Sequence, residues 1–252
     1  MNFDISHLLD QWEYKPGQVV VRKFTGKDGQ EKIQLRVDLG ILQMNAQGRP
    51  DGKRPFGHVS LFDYYLARRK QAAAKDVEFS IGAEDCAKLQ LETLQYHHRY
   101  ICFLQLEDYA TVVRETERNL KVIDFVEEHA DNEELAWSLL QFRPQVMMLR
   151  TRAVATQDLL ANNFEKAIEA IQEGLDELKS FFVERNRAEF AEQSPEIQSL
   201  QQWLDEVRTK RPLSKREQLE IDLEDAVQRE DYEKAARVRD ALKNIKPSDE
   251  TR

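Results

Sequence analysis

The stretch LEIDLEDAVQREDYEKAARVRDALKNI, residues 219–245, holds two short helical patterns back to back. Leu219, Leu223, Ala226 and Val227 recur at spacings of three and four, which places them along one helix face. Tyr232, Ala235, Val238, Leu242 and Ile245 do the same on the other side of an acidic turn, Glu230-Asp231. The two stripes predict a helical hairpin. Upstream, Ser214-Lys-Arg-Glu217 is an S-x-x-E capping box that sets the start of its first helix. Lys246-Pro247 stops the second, and residues 247–252 read as a disordered tail.

The junction Asp231-Tyr232-Glu-Lys-Ala235-Ala236 has two counterparts, Asp108-Tyr109-Ala-Thr-Val112-Val113 and Asn163-Phe164-Glu-Lys-Ala167-Ile168. In each, a polar cap serves the free backbone N–H groups of a new helix, and the aromatic is expected to pack back on the preceding helix. Helical periodicity is continuous from about Glu84, with patterns at 84–106, 109–129, 133–161, 164–184 and 195–208. Pro144 should kink or split the third of these, because proline removes a donor and clashes with the preceding turn. Gly174 either lets another helix approach closely or merely costs helix stability. Ser194-Pro195 suits a capped start, and Ile197, Leu200, Leu204 and Val207 an inner face. In the first pattern, Ala87, Leu91, Leu94, His98 and Ile101 mark the expected inner face. Adjacent His97 and His98 point about 100° apart on a helix. They read as core-edge residues and not as a metal pair.

The N-terminal third differs. A short helix at 3–12 ends at Tyr14-Lys15-Pro16-Gly17. The runs 19–24 and 32–39 flank Thr25-Gly-Lys-Asp-Gly29, and Ile33, Leu35, Val37 and Leu39 alternate with polar residues, which predicts a β-hairpin. A two-stranded ribbon is marginal alone, so the helical body should cover it. GRPDGKRPFG, residues 48–57, is a Gly/Pro-rich loop. Its Arg49, Lys53 and Arg54 have two readings: capture of an anion such as phosphate or carboxylate, or a solvated loop whose cations meet nearby Asp side chains. The lysine lacks the context of a nucleotide-binding P-loop. Residues 60–66 open a short helix or strand that ends in Arg68-Arg69-Lys70, a solvated helix end or a nucleic-acid contact.

The expected architecture is mainly α. It comprises an α+β region with a β-hairpin at 1–82, an antiparallel helical body at 83–208, a link around Thr209–Pro212 and the terminal hairpin at 213–246. Charged residues make up 33% of the 252 and the mean hydropathy is −0.67, as expected for exposed amphipathic helices. The formal charge of −9 disfavours nonspecific binding to nucleic acid or anionic membranes. Residues 1–82 nevertheless carry 13 Lys and Arg against 10 Asp and Glu, while the remainder carries 24 against 36, so any anion-binding surface belongs to the N-terminal part. Cys86 and Cys102 fit neither a disulfide framework nor a zinc spacing. No cofactor, metal site or catalytic set is expected, and the absence of a signal or spanning segment gives cytoplasmic as the expected location.

Two resemblances add to this reading. The first two junctions resemble those of tetratricopeptide repeats, although Tyr109 and Phe164 stand 55 residues apart and the Trp-Leu-Gly signature is missing. The terminal hairpin resembles the UVR motif of the bacterial excision-repair proteins UvrB and UvrC, also found in ClpC-type chaperones and McsA-type regulators. Leu219, Leu223, Ala226, Asp231-Tyr232-Glu233, Ala235-Ala236, Val238-Arg239-Asp240 and Leu242 carry it, with Tyr232 where Phe is commonest. A lone hairpin leaves one side of each stripe wet, to be buried on the chain's own body as a capping hairpin, on the same hairpin of a second copy, or on another protein's UVR hairpin as a four-helix bundle. Pairing between such hairpins is what the resemblance implies, with Leu219, Leu223, Val227, Tyr232, Ala235, Val238, Arg239, Leu242 and Ile245 as the expected contacts. The resulting expectation is a non-enzymatic adaptor. One alternative is an accessory factor of UvrABC-type repair that touches DNA through its N-terminal cations, which the net charge disfavours. The other is a regulator of a ClpC-type system, although the zinc-binding cysteine pairs of McsA-type regulators are missing.

Overall fold

A computed structural model describes residues 4–213 and 215–244, and separates them into two units, residues 1–204 and 205–252. Ser214 of the capping box, Ile245, Lys246 and the terminal tail lie outside the described residues.

The first unit opens with α1 (Ser6–Asp10), followed by an antiparallel meander of β1 (Val20–Thr25), β2 (Glu31–Val37) and β3 (Gly40–Asn45). The expected hairpin is therefore the first two strands of three. Ile41 to Met44 alternate too briefly to separate strand from loop, but they pair with the second strand, Leu42 opposite Leu35 and Met44 opposite Ile33. The second strand also ends earlier than expected. Leu39 sits in the turn at 88% exposure, because Arg36 Nη1 donates to the carbonyls of Asp38 (3.0 Å) and Gly40 (3.1 Å) and ties the chain back. One face of the sheet buries Ile33 and Met44 against Cys102, Phe103, Val112 and Ala153 of the helical body. On the strands' polar positions, Arg22 Nε donates to Gln34 Oε1 (2.7 Å), Gln34 Nε2 to Gln43 Oε1 (2.8 Å) and Arg36 Nε to the Trp12 carbonyl (2.8 Å). Sheet and helices thus form one unit.

α2 (Leu61–Ala73) is longer than the sequence suggested, and Ser60 caps it by accepting from Asp63 N at 3.1 Å. The body continues through α3 (Ala83–Gln105), α4 (Tyr109–His129), α5 (Glu133–Leu140), α6 (Arg143–Leu160), α7 (Phe164–Glu184) and α8 (Ala188–Ala191) into α9 (Pro195–Lys210), within which the boundary between the units falls. Pro144 splits the long central pattern. It lies in the first turn of α6, where a missing N–H costs nothing because that donor has no intrahelical partner. Ser194 Oγ accepts from Ile197 N (3.4 Å) at the start of α9, and Ile197, Leu200, Leu204 and Val207 are buried as expected.

The expected inner face of α3 is incorrect. Leu91 is 63% exposed, and Leu94 and Ala87 are exposed as well. The buried positions are Leu89, Glu92, Tyr96, Arg99 and Phe103, a run at spacings of three and four that includes two charged residues. Leu91 and Leu94 instead line an apolar groove of about 210 Å³ with Ile123, Leu139, Phe142 and Val146.

The three helix junctions are built alike. Glu107, Asn162 and Glu230 adopt left-handed backbone at φ 60°, 59° and 58°. At each, the next residue's N–H reaches back to the preceding helix: Asp108 N to Phe103 O (3.0 Å), Asn163 N to Asp158 O (2.8 Å) and Asp231 N to Ala226 O (2.8 Å). The bonds of smaller sequence span, Glu107 N to Leu104 O (3.2 Å), Asn162 N to Leu159 O (3.0 Å) and Glu230 N to Val227 O (3.0 Å), complete a Schellman pattern. The same pair of bonds ends α2 at Asp76 and α7 at Asn186. None of the five uses glycine.

Candidate functional site

Within the second unit, α10 (Lys215–Gln228) and α11 (Tyr232–Lys243) form the terminal hairpin. Asp231 caps α11 by accepting from Lys234 N at 2.9 Å. Small residues line the seam: Ala226 and Ala235 are buried with Val238, while Leu219, Leu223 and Leu242 are half-buried. Of the residues expected to contact a partner, Val227 and Tyr232 face outward and Arg239 is also exposed. Arg239 Nη2 lies 3.2 Å from Asp240, its sequence neighbour.

Tyr232 departs from the expectation that each junction aromatic packs back on the helix before it. Tyr109 is half-buried against the cluster of Ile33, Met44, Phe103 and Val112, and Phe164 is half-buried at its own junction. Tyr232 is 70% exposed. The backbone geometry is common to all three, so the difference lies in what covers the ring. At Tyr109 the β-sheet supplies part of that cover.

In the first unit, the loop cations do not converge. Arg49 is turned inward, with Nε 2.9 Å from Glu92 Oε2 and Nη1 3.1 Å from Asp51 Oδ2. Lys53 and Arg54 are exposed, and the Lys53 backbone N–H donates to Asp51 Oδ1 at 2.9 Å. Arg68 lies 3.7 Å from Asp85 and near the rings of Tyr64, Tyr65 and Phe79, while Arg69 lies 5.8 Å from the Phe125 ring.

Sequence reasoning missed the charged core behind this loop. Glu92 is fully buried, accepts from the backbone N–H groups of Leu61 (2.8 Å) and Phe62 (3.2 Å), and pairs with Arg49 and Arg118. It is an anion seated at the start of α2, where free N–H groups favour negative charge. Arg99 Nη1 donates to the carbonyls of Asn45 (2.9 Å) and Gly48 (2.7 Å), while its Nε and Nη2 engage Glu115 at 3.1 and 2.6 Å. Burial pushes the Glu115 carboxyl above the usual range, although Arg99 beside it pulls the other way. The readable signal was spacing: Glu92 and Arg99 continue the 89–96–103 face at helical intervals.

The histidines sit where a core edge would place them. His97 Nδ1 lies 2.8 Å from the Tyr100 hydroxyl, and burial lowers the pKa of both His97 and His98. Cys86 and Cys102 are free and buried, which pushes their thiols up to about 11 and about 12. Among the described residues, no group of three or more His, Cys, Asp or Glu could hold a metal ion, and no helix is long and apolar enough to cross a membrane.

Residues 214–246 match the UvrB/uvrC motif family, which covers the described hairpin and its flanks. No curated protein and no solved structure matches the chain.

Proposed function

We propose that the protein is a non-enzymatic adaptor that docks through its C-terminal UVR hairpin onto another hairpin of the same kind, in a second copy or in a different protein. The observation that carries this reading is Tyr232. It occupies a junction position whose counterparts at Tyr109 and Phe164 are half-buried, yet it is 70% exposed beside an exposed Val227, within a segment that matches the UvrB/uvrC motif. An aromatic ring with an apolar body and a polar tip suits the centre of a helical interface. Arg237 and Arg239 alternate with Glu233 and Asp240 on α11 and would set register and partner choice at its rim.

Sedimentation of the full chain, alone and mixed with a UvrB protein carrying its own hairpin, tests this. A complex in either arm that is lost in Tyr232→Asp and Val227→Asp supports hairpin docking. Both residues are exposed, so these variants should keep their helical content. The reading fails if neither arm forms a complex at micromolar concentration, or if the variants associate as well as the parent.

A further inference from the structure

A second site lies in the first unit, beside the loop that follows β3. Ala46, Gln47 and Gly48 of the loop meet Tyr96 and Arg99 of α3 and Arg114, Glu115 and Arg118 of α4 around a pocket of about 230 Å³. That exceeds the roughly 30 Å³ share of one water several times over.

The three guanidinium groups in its wall are not equivalent. Arg99 is committed, with its N–H groups directed to Glu115 and to the carbonyls of Asn45 and Gly48. Both oxygens of Glu115 are engaged by Arg99, so the one carboxylate in the wall is neutralised where it stands. Arg118 is held in place by Glu92, by Asn119 Oδ1 at 3.1 Å and by the Tyr96 ring, whose centroid is 3.6 Å from its guanidinium carbon. Its Nε and part of each terminal nitrogen retain donors beyond these contacts. Arg114 donates to the Thr111 hydroxyl at 3.2 Å and, among the described residues, forms no ion pair.

Charge makes the same point. The pocket is lined by Arg99, Arg114 and Arg118 against the single carboxylate Glu115, and Arg118 has a further anionic partner in Glu92. Arg114 and Arg118 also stand one helical turn apart on α4, so both guanidinium groups emerge on the same side of the helix.

We infer that this pocket binds a small tetrahedral oxyanion, phosphate or a phosphate monoester, between Arg114 and Arg118. Arg118 is pre-oriented by its ring and carboxylate contacts, so little side-chain freedom is lost on binding. Arg114 forms no ion pair among the described residues, and its planar fork suits two oxygens of one phosphate. Gln47 lines the same pocket and carries a neutral amide donor. The site is independent of hairpin docking.

Calorimetric titration of the full chain with inorganic phosphate and, separately, with glycerol phosphate tests the inference, with chloride at matched ionic strength as the control. A saturable one-site isotherm in either arm, weakened about tenfold or more in Arg114→Gln, supports it. Stronger binding in the second arm identifies a monoester as the ligand. Arg114 is exposed and makes one hydroxyl contact, so its replacement should leave far-UV dichroism and the unliganded melting temperature unchanged. Arg118→Lys, which keeps the charge but loses the fork, should weaken binding while preserving the fold. Tyr232→Asp should bind phosphate like the parent. Heat no different from chloride in both arms, or equal affinity in Arg114→Gln, overturns the inference.

Discussion

Arg99 Nη2 lies 2.6 Å from Glu115 Oε1, with the two side chains only 2% and 5% exposed. The pair joins α3 to α4, and through Nη1 of Arg99 it also holds the backbone at Asn45 and Gly48. A buried ion pair adds little stability over an apolar pair of the same volume, but removing one partner strands the other.

Arg99→Met should therefore destabilise the protein by about 3–5 kcal/mol at neutral pH, and adding Glu115→Leu should restore part of that. The deficit should also shrink on acidification. Burial raises the folded-state pKa of Glu115 above its ordinary value, so between the two values the folded chain holds more protons than the unfolded one. Stability contributed by this group consequently rises as pH falls through that window. Arg99 opposes the shift, and its loss widens the window. Urea denaturation of parent and variant at about pH 7.5 and about pH 5.5 checks both statements.

Gly174 of α7 faces Thr151 of α6 so closely that a Cβ would lie 2.2 Å from the Thr151 hydroxyl oxygen. In open space Gly→Ala in a helix would gain about 1 kcal/mol. Here Gly174→Ala should lower stability by roughly 1–3 kcal/mol through overpacking. Thr151→Ala in the same chain should recover part of the loss, since only its Cβ, 2.9 Å away, would remain in conflict. Thermal melts of the two variants give the comparison.

Leu89 and Leu91 test which face of α3 is inside. Leu89→Ala should cost about 2–5 kcal/mol. Leu91→Gln should stay within about 0.5 kcal/mol of the parent, because its side chain is largely exposed. Equal penalties from the two would contradict the orientation of the helix.

Glu230 holds left-handed backbone at the hairpin turn. A side chain there costs roughly 1–2 kcal/mol, against the smaller entropic cost of glycine. Glu230→Gly should leave the hairpin unchanged or stabilise it by up to about 1 kcal/mol. Slower exchange of the Asp231 amide, which donates to Ala226, would register the gain.

Much of this fold is legible in the sequence because its signals are local. The polar-aromatic junctions at Asp108, Asn163 and Asp231, the break at Pro144 and the capped start at Ser194 each depend on a few adjacent residues. The face of α3 is not local. Leu91 and Leu94 look like core and Glu92 and Arg99 like surface until Arg49, Arg118, Glu115 and the Asn45 carbonyl arrive from elsewhere in the chain to satisfy the charges. The third strand is hidden for a related reason, since Ile41 to Met44 acquire strand character only by pairing with β2. The oxyanion pocket was out of reach because its wall combines a loop with two helices some 50 and 70 residues further on.

Glu92 also decides where the chain can be cut. It receives the first two amides of α2 and the guanidinium of Arg49, all contributed by residues before Ala83. A truncation starting at the helical body would leave this carboxylate with Arg118 alone and would strip the Ile33–Met44 cover from Cys102, Phe103 and Val112. For all its contrast in composition, the N-terminal third is no detachable module but the other half of the body's interior. A shortened protein meant to isolate the helical body should be recovered unfolded or aggregated.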